Sequence, residues 1–409
     1  MDQKERIISV AINLLGKEFI DIDFSLDELR WLIETAGGIV VATFSQKLRK
    51  LHARYLIGEG KLKEIKVFVD IHNIDTVVFD DPLTPAQKRN IEQFLNIKVI
   101  DRTYLILDIF ALHAKTKESK LQIELAQLRY SLPRLVGKGI TLSRQSGGIG
   151  TRGPGEQKLE IDARRISERI SKIRLELKKI VNNRKMNRRM RKKKKIPLIA
   201  IVGYTNSGKS TLLKTLTGQN IFIEDKLFAT LGTQIKRFEL PNSQKILLLD
   251  TVGFVQKLPH ELISAFRSTL EEIKQADLII HLMDFSIKHY EDQKRSVYQV
   301  LKEIKADKIP IIEVYNKIDL LKNQKLISKD IVAISAREKI GYKKLFFELI
   351  NALSNNMVNL DLKIPYQDSA IIKRIYEEGI VNTRNYEDAL IKINADIKKE
   401  FADFLKKYL

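Results

Sequence analysis

The sequence predicts an α/β protein. A doubly wound open sheet is preceded by a small α/β domain with an antiparallel coiled-coil hairpin and followed by a small α+β tail. Three observations lead there. From residue 196 to about 355, apolar strand-like runs alternate with helical patterns, as in a wound parallel sheet. Two heptad seams flank a glycine-rich stretch. The 409 residues allow roughly two to four domains. The expected divisions are 1–115, 116–195, 196–356 and 357–409.

In the first division, IVVATFS (39–45), IDTVVFD (74–80) and IKVIDRT (97–103) read as short strands. TPAQKRNIEQFLN (84–96) reads as a helix, with Thr84 as N-cap and Pro85 in the first turn. GEGK (58–61) lacks phosphate-loop spacing and reads as a loop with a helix start. Next, Leu121, Leu125, Leu128, Leu132 and Leu135 step by four and three, as do Leu159, Ala163, Ile166, Ile170, Ile173, Leu177 and Ile180. Joined by SRQSGGIGTRGPGEQK (143–158), the two helices form a hairpin holding its loop about 25–30 Å from the base at ~1.5 Å per residue. A pair of helices buried in a globular core is the alternative; the polar positions around each narrow seam speak against it. The run NNRKMNRRMRKKKK (182–195) reads either as a solvated helix end or linker, or as a surface whose self-repulsion phosphate contact would relieve.

Beyond it, strands are expected at IPLIAIV (196–202), KILLLDTVG (245–253), ADLIIHLMD (276–284), KIPIIEVYNK (308–317) and DIVAISA (330–336). Helices are expected at 260–276, 290–306 and 341–356. The tail offers one helix, SAIIKRIYEEG (369–379), and strand-like runs around DLKIP and DALIKI.

Lys and Arg number 72 against 51 Asp and Glu, a net charge of +21. That excess favours polyanions, nucleic acid or an anionic membrane, although a Lys-rich composition also follows from genome base bias. With no cysteine, disulfides and thiolate metal sites are excluded, and six scattered His make a His-based metal site unexpected. No apolar run approaches ~18 residues, so no membrane-spanning helix is expected. The start, MDQKERIISVAINLLGKEFID, mixes acids and bases and does not read as a secretory signal. The expectation is a reduced, cytoplasmic, multidomain protein.

The chemistry is concentrated in GYTNSGKST (203–211), which follows an apolar run and opens a helical pattern. That is the setting in which GxxxxGK[ST] binds phosphate, so the wound sheet is expected to be a P-loop domain. Gly203 and Gly208 let backbone N–H groups turn inward, with Tyr204, Thr205, Asn206, Ser207 and Thr211 completing the cradle. Lys209 would reach the β- and γ-phosphates, and Ser210 would give one hydroxyl to Mg²⁺. DTVGF (250–254) supplies Asp250, which would hold Mg²⁺ through water, then Thr251, Val252 and Gly253, whose N–H would bond the γ-phosphate. In LFATLGTQ (227–234), Thr230 is the candidate second Mg²⁺ hydroxyl, flanked by Phe228, Ala229, Leu231 and Gly232. NKID (316–319) is the base reader. Asp319 can accept from N1 and the 2-amino group of guanine, donors that adenine lacks. Asn316, Lys317 and Ile318 would hold the base and the P-loop in place. SAR, Ser335–Ala336–Arg337, ends the last strand, where a backbone N–H could reach guanine O6. In this order, each at a strand's carboxyl end, these motifs predict a GTPase that binds GTP and GDP with Mg²⁺. Many GTPases place a water-orienting glutamine after DxxG; here Phe254 stands there, so slow intrinsic turnover is expected. Asn206 is compatible with K⁺ beside the phosphates or with merely fitting the loop.

The chain resembles the HflX family of ribosome-associated GTP-binding proteins. The resemblance is carried by LQIELAQLRYSLPRL (121–135), SGGIGTRGPGEQKLEIDARR (146–165), GYTNSGKST, LFATL (227–231) and DTVGFVQKLPHELISAFRSTLEE (250–272), and covers roughly 40–355 well. It implies binding to the large ribosomal subunit and its RNA, splitting or rescue of stalled ribosomes, and slow hydrolysis stimulated by the ribosome. It also implies that the hairpin tip, with Arg144 and Arg152, enters the subunit's catalytic centre. This sequence has LGTQ (231–234) where the family has LDPT, which loosens the segment around Thr230, and GPGEQKLE (153–160) where the family has GPGETQLE. A monomer is expected. The rivals are an RNA-remodelling factor with ATP-dependent activity, for which the first division offers no phosphate loop, and a ribosome-assembly platform that uses GTP only for binding. Replacing Asp319 by Asn exchanges one acceptor for a donor. Asp319→Asn is expected to move preference from guanosine toward xanthosine nucleotides in a competition assay.

Overall fold

The computed structural model describes residues 4–15, 21–142, 154–193, 196–218, 234–257, 270–321, 328, 330–354, 357–387 and 390–409. The chain divides into two compact units. The first holds residues up to 180 and, of the later described chain, residues 255–257; the second holds the remaining described residues.

The first unit opens with strand β1 (Arg6–Leu14), which the sequence reading did not single out. Ile7, Ile8, Val10 and Ala11 are all buried, so the strand shows no polar face and no alternation. It pairs in parallel with β2 (Ile39–Leu48) and β3 (Thr76–Phe79), and β4 (Lys98–Asp101) adds to β3, giving the order β2-β1-β3-β4. Helices α1 (Ile22–Thr35), α2 (Glu59–His72), α3 (Pro85–Leu95) and α4 (Arg102–His113) connect and cover these strands. Thr84 caps α3 in a reciprocal capping box with Gln87, and Gly58 starts α2. Ile8, Val10, Leu62, Ile65, Phe79 and Ile91 are among the core side chains.

At the carboxyl edge of this sheet lies a buried charge cluster. Arg102 donates through Nε to Asp80 Oδ1 at 2.7 Å, through Nη1 to Glu28 Oε2 at 2.6 Å, and through Nη2 to the Ser25 carbonyl at 3.0 Å. Arg102 Nη1 also reaches the Gln256 carbonyl at 3.4 Å, and Lys257 pairs with Asp80 and, at 3.1 Å, with Asp81. Burial alone would raise the Asp80 pKa; Arg102 and Lys257 outweigh it and hold the carboxyl below its usual range.

Helices α5 (Lys117–Leu142) and α6 (Pro154–Lys193) form the hairpin arms. Leu121, Leu125, Ile170 and Ile173 are buried in the seam, with Leu128, Leu132, Ile166, Leu177 and Ile180 packed against them. Arg169 grips Glu124 across it through two bonds of 2.6 and 2.8 Å. The base of α5 is fastened by Tyr130, whose hydroxyl donates to Asp101 Oδ1 at 2.8 Å. The stretch expected as loop to residue 158 is helical from Pro154, because proline's fixed φ suits a first helical position. Residues 143–153 lie outside the described residues. At 26 and 40 residues, the helices are about 39 and 60 Å long.

The second unit contains a six-stranded sheet, ordered β10-β9-β8-β5-β7-β6. Its strands are β5 (Leu198–Gly203), β6 (Gln234–Glu239), β7 (Lys245–Asp250), β8 (Leu278–Asp284), β9 (Ile311–Asn316) and β10 (Val332–Ala333). All pairs are parallel except β6 with β7. The β6 edge was not expected: QIKRFE has only Ile235 and Phe238 as apolar residues, three apart, and lacks the period-two pattern of a strand. Helices α7 (Lys209–Thr217), α8 (Tyr290–Glu303) and α9 (Tyr342–Ser354) follow β5, β8 and β10. Of the helix expected at 260–276, residues to 269 lie outside the described residues, and a short 3-10 turn, Ile273–Gln275, stands near its end. The tail forms an antiparallel sheet of β11 (Met357–Pro365), β12 (Gly379–Tyr386) and β13 (Leu390–Lys398), ordered β11-β13-β12. Helices α10 (Ala370–Glu378) and α11 (Lys399–Leu405) contribute Ile372, Ile375, Phe401 and Leu405 to its core.

Arg102, Asp80 and Glu28 are each no more than 2% exposed. Arg102→Met is expected to destabilise the first unit by about 3–5 kcal/mol in chemical denaturation, because buried carboxylates lose their partner. The Asp80 pKa is depressed by folding, so its stabilisation is present above the ordinary aspartate range and lost as pH falls through it. The gap between wild type and variant should therefore narrow in acid.

Candidate nucleotide site

The loop after β5 turns on two crowded glycines. A Cβ on Gly203 would lie 2.2 Å from the Leu282 carbonyl oxygen. Gly208 has a φ of +94°, and a Cβ there would lie 2.3 Å from Asn316 Nδ2. Asn206, at φ +60°, is one of the residue types that tolerates the left-handed region. Lys209, the first residue of α7, folds back so that Nζ donates to the carbonyls of Gly203 at 3.1 Å and Tyr204 at 2.7 Å. Burial pushes its ammonium down to about 8; Asp250 opposes the shift and Lys317 adds to it. A cation held in a dry, carbonyl-lined cradle is matched to an anionic ligand.

Asp250 ends β7, and Ser210 Oγ stands 3.3 Å from its Oδ2. The Thr251 hydroxyl donates to the Ile201 carbonyl at 2.7 Å. Phe254 is 2% exposed, and its backbone is bonded to the P-loop. Its N–H donates to the Gly203 carbonyl at 3.1 Å, and its own carbonyl accepts from the Thr205 N–H at 2.7 Å. Gly253 therefore lies directly against the cradle: a Cβ there would be 2.8 Å from Thr205 Cγ2 and 3.2 Å from Lys209 Nζ.

Asn316 ends β9 and ties two loops together. Its Nδ2 donates to the Ser207 carbonyl at 2.8 Å, and its Oδ1 accepts from the Ala336 N–H at 2.9 Å. Lys317, at φ +65°, pairs through Nζ with Asp284 Oδ2 at 2.7 Å. Ile318 is buried, and half-buried Asp319 lies in the 3-10 turn Ile318–Leu320. Ser335 exchanges backbone bonds with Ile340, its hydroxyl accepts from the Glu338 N–H at 3.1 Å, and Arg337 points to solvent beside Glu338.

Thus residues 203–211, 250–253, 316–319 and 335–337 gather at the carboxyl ends of one sheet. Phe228, Ala229, Thr230, Leu231 and Gly232 lie outside the described residues. The Ser210 hydroxyl and Asp250 carboxylate offer hard oxygen donors side by side, which suits Mg²⁺. Among the described residues, no cluster of three or more His, Asp or Glu could hold a metal by itself. Sequence reasoning missed Asp284; its only signal was an aspartate closing a strand two residues before a serine.

A phosphate cradle, a DxxG segment against it and an NKxD turn tied to it define a P-loop GTPase. Four family matches follow one another along the chain. "GTP-binding GTPase N-terminal" matches residues 23–111 and "GTP-binding GTPase Middle Region" 113–191. "50S ribosome-binding GTPase" matches residues 198–317 and "HflX C-terminal domain" 320–409. GTPase HflX of Caldanaerobacter subterraneus subsp. tengcongensis is 43% identical over 406 residues, 99% of this chain and 94% of that one. GTPase HflX of Escherichia coli is 40% identical over 359 residues, 86% and 84% of the two chains. A solved GTP-binding protein from Sulfolobus solfataricus in complex with GDP is 28% identical and covers 85% of this chain and 99% of that chain, with a TM-score of 0.42. The chain belongs to the HflX family of GTPases, enzymes that hydrolyse GTP. No described helix is long and apolar enough to cross a membrane.

Bound phosphates should raise the Lys209 pKa above its free value of about 8. GDP binding above that pH should therefore take up about one proton, and affinity should fall as pH rises. Calorimetry in buffers of different ionisation enthalpy reads this directly; Lys209→Met should abolish the uptake.

Proposed function

We propose that this GTPase binds the large ribosomal subunit and couples its nucleotide state to splitting or rescue of stalled ribosomes. The observation that carries the proposal is Phe254. At the position where a water-orienting side chain is needed, the protein presents a buried phenyl ring whose backbone is already bonded to the P-loop. Lys209, Gly253 and the P-loop N–H groups can neutralise phosphate charge, but nothing at residue 254 can orient water. Intrinsic turnover is then slow, and an outside contact supplies the missing term, worth ~10³–10⁵ in rate.

In this proposal Ser210, Thr230 and Asp250 hold Mg²⁺, which supplies charge neutralisation at the β- and γ-phosphates. Asp319 reads the guanine edge, Asn316 and Lys317 hold the base region, and Ser335–Arg337 bring a backbone N–H toward O6. Asn206 is the candidate neighbour of K⁺. The paired arms of the hairpin support the ribosomal part. An apolar seam closed by Leu121, Leu125, Ile170 and Ile173 pairs two helices of 26 and 40 residues. The net charge of +21 suits ribosomal RNA, and the working place is the cytoplasm.

The test is co-sedimentation with separated subunits in GDP and in a non-hydrolysable GTP analogue, with GTP turnover measured alongside. The large subunit should bind preferentially with the analogue and accelerate hydrolysis well beyond ~10-fold. Equal turnover with and without ribosomes rejects the proposal, and an unchanged rate on replacing K⁺ by Na⁺ rejects K⁺ at Asn206. Replacing residues 147–155 by a Ser-rich loop should leave GTP binding intact and abolish splitting. Full splitting by that variant removes the hairpin from the mechanism.

A further inference from the structure

Asp284 closes β8 directly across the register from Asn316 on β9. Its carboxylate is almost fully buried, and its two oxygens do different work. Oδ1 accepts from the Ser286 backbone N–H at 3.0 Å and from the Ser286 hydroxyl at 2.6 Å. Oδ2 faces Lys317 Nζ at 2.7 Å. The turn is fixed further by Phe285, whose N–H donates to the Asn316 carbonyl at 2.9 Å and whose ring packs edge-on against Tyr290 and Tyr315. One oxygen is thus locked to its own backbone, and the carboxylate cannot swing to follow a partner. The lysine must come to it. Lys317 does so from a left-handed backbone, a conformation that persists only where its surroundings enforce it. Side-chain exposures of 11% and 24% set this pair apart from the exposed ion pairs that contribute little.

We infer that Asp284 is a positioning residue for guanine selection, tethering the Lys317 ammonium so that the lysine's methylene stem stands as a fixed, charge-neutralised wall beside the base. This rests on the guanine reading of residues 316–319. The aspartate touches no substrate. It acts through Lys317, and the pair belongs to the same strand ends that carry Asn316.

A double-mutant cycle tests it, with fluorescent GDP and ADP as probes on the full-length protein. Asp284→Asn keeps the shape of the Ser286 turn and removes the charge. It should weaken GDP binding about tenfold and lower the GDP-over-ADP preference, as expected for groups in direct contact. In a Lys317→Met background the same substitution should change GDP affinity less than about twofold. Equal losses in both backgrounds, or unchanged GDP binding by Asp284→Asn, overturn the inference. Should Asp284→Asn fail to fold, Asp284→Glu keeps the charge and displaces it by one methylene; unaltered affinity and preference in that variant overturn the inference as well. Wild-type protein that binds ADP as tightly as GDP would instead defeat the guanine reading itself.

Discussion

Three loops of the second unit depend on one buried side-chain amide. Asn316 donates to the P-loop at Ser207 and accepts from the strand end at Ala336. These loops follow β5 and β10, and Asn316 itself ends β9; β8 stands between β9 and β5 in the sheet. Without that amide each loop would carry its own conformational freedom into nucleotide binding, and ordering it would draw on the binding energy. Gly208 is the other half of the arrangement, because any larger residue would occupy the amide's place. The site is thus ordered by polar contacts at strand ends, while Ile199, Ile201, Leu248, Ile280 and Val314 hold the strands beneath.

The two units handle buried charge differently. In the second, Lys209 is kept among backbone carbonyls, and burial lowers its pKa. That is a site poised for a ligand. In the first, Arg102 is matched by Asp80, Glu28 and two backbone carbonyls within its own unit. Desolvating such a cluster is expensive, and its net stabilisation is small beside the penalty of breaking it. What it does fix is geometry, joining the ends of β3 and β4 to α1 and to the chain at residues 256–257.

Much of the site was legible because phosphate and guanine recognition need particular residues at strand ends, and the order of those ends is linear in sequence. Asn316 and Lys209 are of this kind. Asp284 was not legible: an aspartate ending a strand is common, and only the register of β8 against β9 brings it to Lys317. Strand β1 was hidden because burial on both faces erases the period-two pattern, and β6 because an edge strand need bury little. The start of α6 was misplaced by its glycines, although Pro154 marks it. The seam of the hairpin, by contrast, follows from spacing alone.

The place of β1 has a consequence for how the chain is made. Strand β1 is an interior strand of its sheet, flanked by β2 and β3, whose partners reach to residue 79. Every pairing in that sheet is parallel, so none can close as a local hairpin. A nascent chain emerging from a ribosome can offer RIISVAINL its β2 partner early, but holds the other edge of that strand unpaired until more than sixty further residues have followed. Contacts of that range form slowly and leave apolar backbone edges exposed meanwhile. In this member of the HflX GTPase family, one edge of β1 therefore waits during synthesis on a strand that follows far behind it.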